Sequence, residues 1–412
     1  MHSADMREHS AARGHSGDER PYDIPLMVAI VILMGIGTVM IYSASIYIAT
    51  QSMDSGTYYL ERQLINVGVA LGALILGMTL HYRKLREWVY PLLIVSLVLL
   101  VLLLTPLGHN VGKSTRWFRL SFLSFQPSEL AKLAFIVWLA YSLEKKHGKL
   151  QNFAVGFLPH LLVMGLIMAL CLAQPDFGTC MVLAAIMVLM LFVAGTKIGY
   201  ILVLAFMAVP VFVKYVVLNE MRWARLVAFI DPWNVAHRWG AGYQTVNSLT
   251  AFGSGGVTGL GLGASRQKFG YIPEAQTDFI FPILGEELGL IGVVAVLGLF
   301  IFVVVRGISI ATKASDDFGR YLAYGITMLI GIQAAVNIGV SLGLLPTKGL
   351  TLPFISFGGT SLVVIAFGVG VMLNISRRSF PPGAVPPPAR AQAPGPSAST
   401  VKPRLRVGRM SS

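Results

Sequence analysis

Ten runs of mainly apolar residues, each close to the roughly 20 residues a helix needs to cross hydrocarbon, constrain this chain more than anything else in it. They cover 24–49, 64–80, 88–105, 127–143, 156–173, 178–195, 198–218, 278–305, 321–345 and 353–376. Apolar residues make up 55% of the sequence and charged ones only 12%, against about 25% charge in a soluble domain. The bilayer is therefore the solvent. Backbone groups in lipid must bond within their own segment, so the expected fold is an all-α polytopic membrane protein of about ten transmembrane helices. The fifth and sixth runs are short and joined only by Gln174-Pro175-Asp176-Phe177, so a single helical hairpin describes them as well, and the count holds to about one.

The first run lacks a small-residue cleavage site and reads as a retained span rather than a signal peptide. Residues 1–22 are polar, and 377–412 are rich in Pro, Ala and Arg, compositions that bury no core and are expected to remain disordered tails. Between them lies a transmembrane core, 23–376, with one large extracytoplasmic loop at 219–277. Cations on cytoplasmic loops set orientation. With both termini inside, the inner segments hold roughly twice as many Lys and Arg as the outer ones, among them Arg83, Lys84, Arg86, Lys145, Lys146 and Lys149. The net charge of +13 is thus mostly a topology signal, and nucleic acid is not needed to explain it. Cys171 and Cys180, at the facing ends of the fifth and sixth runs, read as small buried hydrophobes, with a disulfide as the alternative. The histidines show no metal-ligand spacing, and no structural metal is assigned.

The exceptions to the charge rule point to chemistry. The outer loop from Leu107 to Phe125 holds Lys113, Arg116 and Arg119, cations that lipid headgroups or a specific phosphate or pyrophosphate would explain. The loop from Asn219 to Thr277 opens with Arg222, Trp223 and Arg225 and carries Trp233, Trp239 and Tyr243, suited to an interfacial belt or to stacking on sugar rings. Asp278 stands where that loop meets the eighth run, with Thr277 as a candidate N-cap. This places it in the first helical turn, either complementing the helix dipole or acting as a base on a substrate hydroxyl.

Glu129 and Lys132, three apart, share a helix face, either as an internal neutralising pair or with the lysine free for phosphate. Glu286 and Glu287 fall where the eighth span enters hydrocarbon, where an acid is costly and marks function by default. Being adjacent, they point in different directions, so at least one is expected to meet a structural partner. Gln333 and Asn337, four apart, are candidates to face one cavity, and Pro353 to Ser361 opens the last span with helix-interrupting residues that line a cavity or pack closely.

These segments together resemble the shape, elongation, division and sporulation (SEDS) family over residues 24–377. The carriers are Tyr42-Ser43-Ala44-Ser45, Arg116-Trp117 with Phe125-Gln126-Pro127-Ser128-Glu129 and Lys132, Pro175-Asp176-Phe177-Gly178-Thr179, Pro273-Glu274 with Thr277-Asp278-Phe279, Glu286-Glu287-Leu288-Gly289, and Pro353 to Gly359 including Ser356. Gln267-Lys268 and Leu344 to Gly349, with Lys348, are similar to the division branch rather than the elongation branch. Two departures stand out: Gln276 occupies a place where His is common, and Val111 to Thr115 replaces the usual Asn-Gly-Ala before Arg-Trp.

The resemblance implies a peptidoglycan glycosyltransferase of the bacterial cytoplasmic (inner) membrane, at the division septum. It would polymerise lipid II by passing the growing glycan from undecaprenyl pyrophosphate to the 4-hydroxyl of the next unit. In that scheme Asp278 is the general base, and Lys113, Arg116, Trp117, Arg119, Glu129, Lys132, Glu274, Lys348 and Ser356 bind substrate or pyrophosphate. A divalent cation, Mg or Mn, is compatible with the site, although no ligand cluster demands one. The implied partners are a class B penicillin-binding protein, which crosslinks the strands, and other division proteins. Two other classes fit more poorly. A lipid II flippase wants its charges near the midplane, and a non-catalytic scaffold leaves the outer cations without a role.

Overall fold

The computed structural model describes residues 21–53, 55–106, 108–111, 114–120 and 123–378. Lys113 and nearly all of the two tails lie outside the described residues. Among the described residues thirteen α-helices form. The first seven are α1 (Ile24–Met53), α2 (Tyr58–Thr79), α3 (Val89–Leu102), α4 (Pro127–Lys145), α5 (Leu158–Ala173, entered by a π turn), α6 (Phe177–Val193) and α7 (Ile198–Phe212, continued by a π turn). Three short helices follow, α8 (Glu220–Ile230), α9 (Val235–Arg238) and α10 (Tyr243–Gly255), and then α11 (Ile280–Thr312), α12 (Asp317–Ser341) and α13 (Gly359–Arg377).

Seven helices, α1, α2, α5, α7, α11, α12 and α13, are long and apolar enough to cross a membrane, and α3 and α6 are shorter apolar helices. The helix α4 spans 19 residues but carries Glu129, Lys132, Glu144 and Lys145. Its sides are almost wholly buried, so protein rather than lipid receives Glu129 and Lys132, while Lys145 at its end is exposed. These ten correspond to the ten apolar runs, and the fifth and sixth are two helices of one hairpin. The chain is a multi-pass membrane protein.

Local chemistry sets the helix starts. Asp23 accepts from Leu26 N at 3.1 Å, Asp176 from Thr179 N at 3.3 Å, and Asp316 from Gly319 N at 2.7 Å, each satisfying an amide with no partner inside its helix. The centre of the bundle is α4, α12 and α13, with 67% and 72% of the most apolar windows of α12 and α13 buried against 11% for α7. α2 and α13 approach through Gly77 and Gly370, where an added Cβ on Gly77 would meet Phe367 O and Val371 N. Small residues permit such contact where no hydrophobic force between helices is available.

Three expectations change. The segment from Leu107 to Phe125 contains a small antiparallel sheet, β1 (His109–Val111), β2 (Ser114–Leu120) and β3 (Leu123–Phe125), which pairs Phe118 with Phe125. The last span starts at Gly359 rather than 353, because the glycines and the left-handed Phe354 (φ 66) keep the preceding residues out of helix. The eighth span does not enter hydrocarbon at 278. Its helix begins at Ile280 and is interrupted at Gly289 (φ 66, ψ −165), a conformation natural only to glycine.

At that interruption a loop strand replaces the missing helix bonds. Leu260 N and Gly261 N donate to Glu286 O and Glu287 O, each at 3.0 Å, and Leu290 N and Ile291 N donate to Gly256 O and Val257 O at 2.9 and 3.2 Å. Glu286 and Glu287 thus face the loop and not lipid. Glu286 accepts from Ser265 Oγ, Arg266 N and Gln267 N at 2.5, 3.1 and 3.2 Å. Glu287 accepts from Ser43 Oγ at 2.5 Å and from Lys268 Nζ at 3.3 Å. Both acids have structural partners.

Candidate active site

Asp278 sits in the turn before α11, two residues ahead of its first helical residue. Thr277 does not cap the helix; its hydroxyl donates to Glu274 O and Glu274 Oε2 at 3.1 and 3.2 Å. Glu274 adopts a left-handed conformation (φ 56), and its carbonyl accepts from Thr277 N and Phe279 N at 3.1 and 3.4 Å, which folds the turn. From the other side Asn337 Nδ2 donates to Asp278 O at 2.8 Å and to Leu350 O at 2.5 Å. Asn337 therefore holds the backbone of two loops together. It and Gln333 are buried, and neither lines the cavities described next.

Asp278 stands where two cavities meet, both also walled by Arg116 and Gly349. One, of about 320 Å³, lies between α6, α7, α8 and the loop after α12. It gathers Arg116, Arg222, Arg225 and Lys348 against apolar walls from Phe177, Met181, Phe212 and Leu226. The other, of about 390 Å³, lies beside the small sheet and is lined by Glu129, Asp176, Glu274, Trp117, Thr351 and Phe357. Gly349 packs so closely that a Cβ there would reach Asp278 Oδ2 at 2.8 Å.

The electrostatics follow from this placement. The Asp278 carboxyl is half-buried beside the cavities, and burial, then the nearby Glu274 carboxylate, push it up to about 7, with Arg116 opposing. Burial, then Arg222, Arg225 and Arg116, bring the Lys348 ammonium down to about 8. Lys348 Nζ also lies 4.1 Å from the centre of the Phe177 ring, a favourable cation–π placement. Arg116 donates to the carbonyls of Gln174 and Pro175 and lies 3.9 Å from Asp176, so β2 is tied to the α5–α6 turn.

The remaining residues singled out from sequence fall as follows. Lys132 is buried and bonded to Glu129 Oε1 at 2.8 Å; that is the internal pair, and only Glu129 reaches a cavity wall. Ser356 is buried, and its hydroxyl accepts from Leu352 N at 2.8 Å, shaping a turn. Arg119 lies on β2 opposite Ser124. Arg222, Arg225, Asp176 and Gly349 were not picked out as site residues by sequence. Their closeness to Asp278 depends on helices and loops far apart in the chain, and the Arg222-Arg225 spacing at the loop's start was the one available hint. Among the described residues no group of three or more His, Cys, Asp or Glu is arranged to hold a metal ion.

A bundle of about ten membrane helices with an acid at the junction of a cationic and an acidic cavity defines a polytopic membrane protein. The profile of the FtsW/RodA/SpoVE cell cycle proteins matches residues 24–380, and the chain belongs to that family. It is 44% identical over 359 residues to a probable peptidoglycan glycosyltransferase FtsW of Geobacter metallireducens, covering 87% of this chain and 95% of that one. It is 41% identical over 358 residues to the stage V sporulation protein E of Bacillus subtilis, covering 87% and 97%. Among solved structures it is similar to a chain from work on the coordination of polymerization and crosslinking by a peptidoglycan synthase complex, with TM-score 0.72, 29% identity and coverage of 86% and 98%. The rod shape determining protein RodA of Thermus thermophilus aligns with TM-score 0.65 and 28% identity over 88% and 98%.

Proposed function

We propose that this chain is an FtsW-type peptidoglycan glycosyltransferase that polymerises lipid II during division, with Asp278 as general base. The observation that carries the reading is the junction of the two cavities at this one carboxylate. Asp278 takes the proton of the acceptor's 4-hydroxyl, and that oxygen forms the new bond to the donor's anomeric carbon. The bond from that carbon to the pyrophosphate oxygen breaks, its electron pair leaving on undecaprenyl pyrophosphate. The proton then passes from Asp278 to water. A pKa raised towards neutrality suits a base that must both take and release a proton near pH 7, and cations stabilise the charge developing on the departing oxygen. Arg116 and Lys348 are placed for that role, whereas Lys132 is occupied by Glu129.

The α-linked donor becomes a β-linked product, which one displacement achieves, so no covalent sugar intermediate is required. The site lies at the end of the bundle opposite the described termini, and with cytoplasmic termini it faces the outer leaflet, where the strands are crosslinked. The crosslinking partner in this reading is a class B penicillin-binding protein. A flippase would need charges at mid-depth, but Arg116, Glu129, Asp176, Asp278 and Lys348 all belong to loops or helix starts at one end. Asp278→Asn keeps size and removes basicity. Purified with its partner and supplied with lipid II, it is expected to fold and to lose at least a hundredfold in polymerisation, on the order of what general-base catalysis contributes. Near wild-type turnover would remove Asp278 from the chemistry.

A further inference from the structure

A general base must stand within hydrogen-bond reach of the proton it takes, yet Asp278 lies on a turn, two residues ahead of α11, where its own helix does not hold it. We infer that Asn337 and Gly349 are positioning residues for the Asp278 carboxylate. The Asn337 amide fastens the Asp278 turn and the Gly349 loop to one point of α12, and the absence of a side chain at Gly349 leaves the carboxylate its place. This rests on the glycosyltransferase reading and concerns the residues that aim the base rather than those that meet substrate.

The surroundings of Asn337 determine how it bonds. Its Nδ2 faces two carbonyls, Asp278 O at 2.8 Å and Leu350 O at 2.5 Å, and only an amino group, which carries two donors, satisfies both. Among the described residues no backbone amide outside the helices donates to either carbonyl. Residue 282, one helical turn beyond Asp278, is proline and has no N–H to offer. Asn337 is only 2% exposed and lines neither cavity, so it acts on the turn and not on substrate. Its helix is one of the most deeply buried in the bundle, and a site held from a helix is placed more accurately than one held from a loop.

The bond to Leu350 O extends this hold to the loop after α12. The Leu350 side chain covers the start of α6, where a Cβ on Gly178 would stand 3.1 Å from Leu350 Cδ2. Lys348 and Gly349, which wall a cavity with Asp278, are thereby kept in step with the turn. The consequence is sharpest at Gly349. The three atoms nearest an added Cβ all belong to the Asp278 carboxyl: Oδ2 at 2.8 Å, Cγ at 3.6 Å and Oδ1 at 4.0 Å. Gly349 is not in the left-handed region, so its own backbone does not call for glycine. The position of the carboxylate does, and any side chain at 349 must turn that carboxylate aside.

Gly349→Ala and Asn337→Leu, each purified with the crosslinking partner, are assayed over a range of lipid II concentrations. Gly349→Ala sets one methyl against the end of a side chain that can rotate, so its melting temperature should stay within about 2 °C of wild type. A base displaced by about 1 Å should nevertheless lower kcat by about ten- to hundredfold, with KM changed less than about threefold. Asn337→Leu keeps the size of the side chain and removes both donors; it should lower kcat at least as far, and it should melt lower because two carbonyls lose their partner. If Asn337→Leu does not fold, Gly349→Ala decides alone. A Gly349→Ala with wild-type kcat, or with its loss confined to KM, overturns the assignment. So does an Asn337→Leu that melts lower yet keeps the wild-type kcat, which is what a merely structural bond would give. Asp278→Asn separates the two readings: if it stays active, the general-base role falls and the positioning role with it, whereas an inactive Asp278→Asn beside a fully active Gly349→Ala removes the positioning role alone.

Discussion

In its proposed role Asp278 carries opposing demands, because a carboxylate enclosed by protein and close to Glu274 is harder to ionise, yet a base must be ionised to accept a proton. Its folded pKa of about 7 lies above the ordinary aspartate value of 3.8. The folded state therefore holds this proton more tightly than the unfolded state, and the contribution to stability is full below the unfolded pKa and lost as pH rises through about 7. Asp278→Asn should accordingly melt higher than wild type at pH 8, with the difference shrinking towards pH 4 in thermal-unfolding scans across pH. Catalysis runs the other way at first. Polymerisation should rise as Asp278 ionises near pH 7 and fall as Lys348 loses its proton near pH 8, so kcat/KM against pH should be a narrow bell. A rate flat between pH 6 and 9 would separate both groups from the rate-limiting step.

At this scale the sequence showed Asp278, because an acid between a polar loop and an apolar run is conspicuous wherever the helix begins. It could not show Arg222 or Arg225 as neighbours of Asp278, since only the folded chain brings α8 to the cavity that Phe177 and Asp278 also line. It also left Lys132 open between two roles, because spacing puts Glu129 and Lys132 on one face without saying whether water or phosphate can reach them.

Among elements, the interrupted α11 was the least legible. Its apolar run continues on both sides of Gly289 and hides the break, and Thr277 offers a cap three residues before the helix starts. The acids that seemed to lie in hydrocarbon instead pin the loop from Gly256 to Lys268. Lys268 and Glu287 are a buried pair, 3.3 Å apart, and removing one member strands the other's charge at a cost of about 3–5 kcal/mol, whereas removing both is often neutral. Lys268→Met and Glu287→Gln should each destabilise the purified protein and lower polymerisation, and the double variant should recover much of both. Additive losses in a double-mutant cycle would show that the two side chains act separately. The α2–α13 contact makes a simpler case: Gly370→Val would drive its side chain into Leu74 O and should part the two helices, seen as a lowered melting temperature.

For the whole molecule, the alternation of apolar runs carried nearly all of the architecture, since a bilayer permits few folds and charge bias orients them. Cysteines placed in the Asn219 to Thr277 loop should react with an impermeant thiol reagent added outside cells, and cysteines near Lys145 or Lys313 should not; the reverse pattern would move the proposed active site to the cytoplasm. The break at Gly289 has a mechanical meaning at this scale. Bilayers differ in thickness, and spans answer by tilting, which in an unbroken helix would swing whatever sits at its tip. Here the membrane-crossing stretch from Leu290 to Thr312 is hinged to a short rod, Ile280 to Glu287, which is moored by loop amides and by Ser43 of α1. On the proposed reading the joint keeps Asp278 apart from the tilt of the span beneath it, so that one geometry serves bilayers of different thickness.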